Sequence, residues 1–488
     1  MSGNKRERMA SVDTAWLRMD RPSNLMMICG VLIFRERVAF ARLKATLTDR
    51  FLRFERFGQR PVQTPGGACW QANDRFDIAH HLQLVALPGR AGKAELETFV
   101  SALIGTPLDP GRPLWQFHLI ERFEGGCAIV VRIHHCYADG IALIQVMLSL
   151  TDADRAGNAA GPVPPPAQPR AAAADDPLTE LIGPLAGAVK FARQAGSTLI
   201  EKGAQLWQDP TRAVALADQG AALTAEIVKL ATMGEDSPTR FKGKPGIAKR
   251  VAWADPVALS EVKAIGRAYD CSVNDVLLSA VAGAMRSYLR RHGDAVDGVK
   301  LRALVPVNLR PPDKAHKLGN RFGLVFLDLP LGIANPVERL YAVRANMQAL
   351  KGSYQPVLSL GILAAMGAGP QILQQQLLAL LARNATAVMT NVPGPQQPLF
   401  LAGASIASMM FWVPQAGDIG LGVSILSYDG AVQFGVVTDR GLCPDPELLI
   451  ERFAPEFEQL VLATLLAPWP WATPPDAGVI EGALLSAP

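Results

Sequence analysis

From Cys127 to Ile133 every residue but Arg132 is apolar, and after a short turn a second apolar run follows. Cys127, Ile129, Val131 and Ile133 fall on one face of a strand with His135, while Ala128, Val130 and Arg132 fall on the other with His134. From Ile141 to Leu150 nearly every residue is apolar, which predicts a buried helix. Between the two lies His134-His135-Cys136-Tyr137-Ala138-Asp139-Gly140, a turn. The pattern therefore sets two titratable rings at the end of a buried strand.

The same reading divides the rest of the chain. Trp115, Phe117 and Leu119 share one face of an alternating strand. A proline- and alanine-rich stretch over 157–177 reads as a flexible or polyproline-like linker. Helical spacing over 178–233 predicts amphipathic bridging helices. Strands are expected over 247–253, 301–307 and 322–329, and helices over 257–269, 273–291 and 336–350. Asp429-Gly430 between two apolar strands signals a hairpin, and a last helix is expected over 446–466. The result is a mixed α/β half over 1–155, a connection over 156–243, a second mixed half over 244–467 and a mobile tail over 468–488.

Bulk properties narrow the partners. The 488 residues exceed one ordinary core. A net charge of +4, from 48 basic and 44 acidic residues, is too small and too evenly spread for a nucleic-acid partner. Hydrophobic residues reach 49%, which suits apolar ligands. Six cysteines without a CxxC pair fit reduced thiols and a cytoplasmic setting. The polar start shows no secretory signal. The greasy segment 357–382 is broken by Gly367, Gly369, Pro370 and a glutamine cluster, so it predicts no clean membrane span. Peripheral contact with the inner face of the plasma membrane or with lipid inclusions stays open.

Chemistry concentrates at the histidine turn. His135 lies on the more apolar strand face, and a desolvated imidazole stays neutral and able to accept a proton. It is the preferred general base, with His134 beside it; satisfied core histidines are the plainer alternative. Asp139 either caps the following helix or pairs with an arginine to fix the loop. Gly140 permits a close approach or an unusual backbone angle. Ser272-Val273-Asn274-Asp275 has capping-box spacing. A helix start is the simple reading there, and an oxyanion-stabilising amide on Asn274 the sharper one. No histidine or cysteine spacing supports a metal site, and no GxSxG elbow supports a serine hydrolase.

These segments, taken together, resemble one family. HHCYADG at 134–140, PLW at 113–115, SVNDVLLSAVAGAMRSYL at 272–289, VPVNLR at 305–310, LGNRFG at 318–323 and NVPGP at 391–395 follow the order found in bacterial wax ester synthase/diacylglycerol acyltransferases. The opening Met9–Trp16 is also similar, and the likeness spans most of residues 9–466. HHxxxDG alone is shared with chloramphenicol acetyltransferases, carnitine acyltransferase-like enzymes and peptide-synthetase condensation domains; the ND helix with NVPGP narrows it to the lipid-making branch.

The resemblance implies an α/β, two-lobed CoA-dependent acyltransferase (chloramphenicol acetyltransferase-like) fold, with mixed sheets and a helical connection. It implies a long-chain acyl-CoA as substrate and no separate cofactor. A diacylglycerol or fatty alcohol would be the acceptor, giving triacylglycerol or wax ester. Carried over, His135 matches the catalytic base and Asp139 a structural aspartate, while Asn274 and Asp275 fall on the ND motif. Two rivals remain at this point: an acyltransferase acting on a polyketide-type alcohol or an amine, and an inactive scaffold that binds lipid particles.

Overall fold

The computed structural model describes residues 6–155, 157, 229, 232–310, 318–368, 374 and 383–467. The linker, most of the bridging helices expected over 178–233 and the tail lie outside these residues. Two seven-stranded sheets and a three-stranded one form the frame. The first large sheet runs Leu82–Val85, Trp115–Phe123, Gly126–His134, Met27–Phe34, Ala404–Trp412, Phe400–Leu401 and Thr151–Asp152. Gly126–His134 is buried along its whole length, as its continuous β-branched and apolar run requires of a central strand. Antiparallel pairing puts His134 opposite Met27, and Ile133 opposite both Ile28 and Trp115.

The second large sheet is mixed. Val257–Ala258, Ala431–Asp439, Leu421–Tyr428, Ala387–Pro393, Leu301–Asn308 and Phe322–Leu329 follow one another, and Lys249–Trp253 also pairs with Ala431–Asp439. Ala387–Pro393 runs parallel to both of its neighbours. The helix Val273–Arg291 covers one face of this sheet, and its apolar side chains join Leu301, Met389, Val423 and Phe434 in a single core.

The halves are not sequentially separate. Ala404–Trp412, drawn from the second half of the chain, pairs with Met27–Phe34 and so completes the first sheet. No periodicity in a strand states which sheet it will join, and the division at 244 does not anticipate this crossing. Three of the expected elements, 273–291, 322–329 and 336–350, form with the expected ends. Others shift. The last helix splits into Pro446–Ile450 and Phe453–Leu466, because Pro455 has no N–H to continue the first segment's hydrogen bonding. Val257–Ala258 is extended against the hairpin end, and the helix starts only at Leu259, whose N–H bonds Gly430. Of the greasy segment, Gln355–Ala368 is a helix and most of the remainder lies outside the described residues. Among the described residues no helix is long and apolar enough to cross a membrane.

Candidate active site

His135 follows immediately on the last residue of the central strand Gly126–His134. Its N–H donates to the Met26 carbonyl at 2.7 Å, so the neighbouring strand Met27–Phe34 holds the turn. The ring is buried and stacks on Trp16, with centroids 4.1 Å apart and planes 16° from parallel. Phe322 closes in from the second half at 5.6 Å. Burial pushes the His135 pKa down to about 4, against the pull of the Asp139 charge and of its own backbone carbonyl. Nδ1 is enclosed and has no well-formed hydrogen bond among the described residues. Nε2 is the ring nitrogen left to meet a substrate.

His134 goes elsewhere, as strand alternation requires. It is buried on the opposite face, where Nδ1 accepts from the Cys136 N–H at 3.1 Å. Nε2 lies 3.2 Å from Asp20 Oδ2, an ion-pair distance at an angle too poor for a hydrogen bond. The structure therefore sets one of the two rings, not both, beside Trp16 and Phe322.

Two polar links from the second half hold the turn. Asn320 donates through Nδ2 to the His135 carbonyl and to Asp13 Oδ1, both at 2.8 Å, and its backbone N–H also reaches Asp13 at 3.0 Å. Asp13 is wholly buried, and desolvation raises its pKa to about 6 despite the bonds from Asn320. Asn320 is presented by Gly319, which bridges to Ala138 and adopts a φ of +103° that a side chain would strain. The helix Ser11–Arg18 supplies both Asp13 and Trp16. It lies so close to Gln355–Ala368 that a Cβ on Gly367 would stand 1.6 Å from the Ser11 carbonyl oxygen.

The second link is Asp139. Its Oδ1 accepts from the Ala142 N–H at 2.9 Å, capping the helix Gly140–Leu150. Its Oδ2 accepts from Arg310 at 2.6 Å and from the Arg321 N–H at 2.9 Å. Both open readings of Asp139 are therefore realised by one carboxylate. Gly140 has no unusual backbone angle: it is the first residue of the helix, and a Cβ there would meet no atom within 4 Å. What glycine leaves at this position is open space beside the turn.

The ND pair divides into two environments. Asp275 is buried and closes a reciprocal capping box, accepting from Ser272 N at 2.8 Å and from Ser272 Oγ at 2.7 Å. Asn274 is exposed, and its Oδ1 accepts from Asn391 Nδ2 at 2.6 Å. Two of the short segments singled out in the sequence, at 272–289 and 391–395, thus meet through their asparagines. Asp13, Trp16, Arg310 and Asn320 were present in other such segments, but nothing in their spacing assigned them to the histidine turn.

Comparisons with known proteins identify the family. The description "wax ester synthase/diacylglycerol acyltransferase catalytic domain" matches residues 9–277, and the C-terminal domain of the same family matches residues 318–461. The chain belongs to the wax ester synthase/diacylglycerol acyltransferase family. A probable diacylglycerol O-acyltransferase of Mycobacterium tuberculosis is 27% identical over 418 residues, covering 82% of this chain and 83% of its own. A second, putative one from the same organism is 29% identical over 424 residues, with 82% and 79% covered. The solved wax ester synthase/diacylglycerol acyltransferase of Marinobacter aquaeolei VT8 superposes with a TM-score of 0.66 at 21% identity, covering 94% of this chain and all of that one. The first condensation domain of the calcium-dependent antibiotic synthetase gives 0.57 at 16% identity, with 94% and 96% covered. The two-lobed acyltransferase fold expected from the resemblance is the one observed, and this member of the family is an acyltransferase that takes an acyl donor and an acceptor alcohol.

Proposed function

We propose that this acyltransferase moves a long-chain acyl group from acyl-CoA to the hydroxyl of a diacylglycerol or a fatty alcohol, with His135 as general base. The observation that carries the assignment is a buried, uncharged imidazole held between Trp16 from the first half and Phe322 from the second. Nε2 takes the acceptor's proton as its oxygen attacks the thioester carbonyl. A carbon–oxygen bond forms, and the carbonyl electron pair moves onto oxygen as a tetrahedral oxyanion. When that pair returns, the carbon–sulfur bond breaks, and the thiolate recovers the proton from the imidazolium. The products are an ester and CoA, with no acyl-enzyme and no cofactor besides the substrate.

Asn274 is the oxyanion donor in this reading: Asn391 holds its Oδ1, which leaves the amide nitrogen as the end that can donate. Asp139 and Asn320 position the base without touching the reacting atoms. Enclosure of the site suits a thioester that water would otherwise hydrolyse. Acceptors of this kind reside in membranes and lipid inclusions, so the protein works in the cytoplasm at such a surface.

Purified protein supplied with palmitoyl-CoA and either hexadecanol or dioleoylglycerol should release CoA thiol and yield neutral lipid on thin-layer chromatography. His135→Ala should lower that rate by about 10²–10⁴-fold, the usual range for a lost general base, while leaving the protein folded. A folded variant that keeps its rate would remove the base assignment.

A further inference from the structure

Thr390 and Ser424 stand side by side on the parallel strands Ala387–Pro393 and Leu421–Tyr428, paired in register. Their exposures are 5% and 1%, and neither hydroxyl has a hydrogen-bond partner among the described residues. Alternation fixes where they point. Ala387 and Met389 on one strand, and Val423 and Ile425 on the other, lie in the core under the helices. Thr390 and Ser424 therefore face the opposite way, towards the first half. On that face Gly435, the register partner of Ser424, would place a Cβ 3.0 Å from Met410, a residue of the crossing strand. The hydroxyl pair lies at the junction of the two large sheets.

The second sheet opens at the same level. Leu301–Asn308 lies between two neighbours, yet its ladder with Ala387–Pro393 consists of Ala303 with Ala387 and Leu304 with Val388 alone. Past that point Val305, Pro306 and Val307 are half-buried and Asn308 is exposed, although the strand is internal to the sheet. Parallel strands that part at their carboxyl ends leave a crevice, where open sheets receive ligands. Thr390 sits two residues beyond the last paired position. The walls on this face, Leu304, Val388 and Leu426, are apolar and buried. A hydroxyl left unbonded in such surroundings is less favourable than a methyl group, and two of them in register ask for an oxygen to bind.

We propose that Thr390 and Ser424 form an anchoring site for a neutral carbonyl oxygen of the substrate, away from the reacting atoms. Two substrates carry one: the ester of a diacylglycerol acceptor and the pantetheine amides of the CoA donor. A fatty alcohol has no oxygen besides the one that reacts. The apolar walls disfavour a phosphate or a carboxylate at this point. The inference rests on the acyl-transfer reading above and names the contact that would read substrate class.

Steady-state kinetics of Thr390→Val, Ser424→Ala and the double variant decide it, with palmitoyl-CoA as donor and hexadecanol or dioleoylglycerol as acceptor. The double variant should raise one KM about tenfold, the loss expected for a neutral hydrogen bond, with kcat within about twofold. Its melting temperature should hold or rise. A change confined to dioleoylglycerol assigns the acceptor ester; a rise for palmitoyl-CoA with both acceptors assigns the donor amide. Thr390→Ser, which keeps the hydroxyl, should behave as wild type. Unchanged KM values, a loss in kcat alone, or a lowered melting temperature would each overturn the site, the last because the hydroxyls would then be bonded within the protein. His135→Ala in the same series separates the two claims: if it is inactive while the double variant matches wild type, only the anchor fails.

Discussion

As the proposed general base, His135 faces two opposed requirements. A base must be unprotonated to act, and burial ensures this by pushing its pKa down to about 4. A base must also hold the proton it takes, and a ring with so low a pKa holds it weakly. The site answers with groups that favour the imidazolium as it forms. The face of Trp16 at 4.1 Å attracts a cation, and the Asp139 carboxylate favours the same charge. Because its folded pKa lies below that of an exposed ring, His135 stabilises the fold most above about pH 6.5, and this contribution is lost as pH falls towards 4. Asp13 has the opposite sign: its pKa is raised, so its contribution is complete below about pH 4 and is lost as pH rises through about 6. The plot of kcat/KM against pH should therefore be flat through pH 6.5, with its acid limb near 4. A limb near 6 that disappears in Asp13→Asn would assign control to the Asp13–Asn320 clamp. A limb near 6.5 that survives that change would show the imidazole to be hydrated.

At the scale of elements, the histidine turn is tied to the Leu318–Phe322 segment on one side and to the Ser11–Arg18 helix on the other. Asp139 joins the first of these to the helix Gly140–Leu150 through the Arg321 N–H, and it also pairs with Arg310, both side chains being about 5% exposed or less. Removing one partner leaves a buried charge, at a cost of about 3–5 kcal/mol. Asp139→Ala should accordingly lower the melting temperature by several degrees and lose activity with it, which differential scanning fluorimetry and the thiol-release assay read together. A large rate loss without any thermal change would show that Asp139 acts on the reaction directly. The histidine strand, the capped ND helix and the DG hairpin were legible in the sequence because their signals are local: alternation, a capping box and a two-residue turn. The clamp was not. Asn320 meets Asp13 across 307 positions and Asn391 meets Asn274 across 117, and no spacing within either segment encodes such a meeting. Gly140 shows a different limit, since neither the close approach nor the unusual backbone angle expected of it is found.

For the whole molecule, the crossing strand decides how the halves behave. Ala404–Trp412 pairs with Met27–Phe34 at the centre of the first sheet, while the residues that follow it return to the second. Lys249–Trp253 of the second sheet docks in turn on the helix Lys93–Ile104, where Ser101 Oγ accepts from the Val251 N–H at 2.9 Å. The cores are shared in the same way: Val31 and Val130 pack in one cluster with Trp253, Met410 and Val437. Leu360, Leu363 and Met366 belong to the cluster that contains Trp16 and Ile133. Two units that exchange a central strand and two core clusters cannot each unfold alone without exposing the interior of the other. Calorimetry should then record one dominant transition for the folded frame. A fragment ending before residue 244, deprived of the strand beside Met27–Phe34, should bind hydrophobic dyes and lack a cooperative melt. Two separable transitions, or a fragment that folds by itself, would mean that the lobes associate as finished domains. The site would then form on docking, whereas here the same chain crossing that closes the first sheet also sets Phe322 and Asn320 against His135.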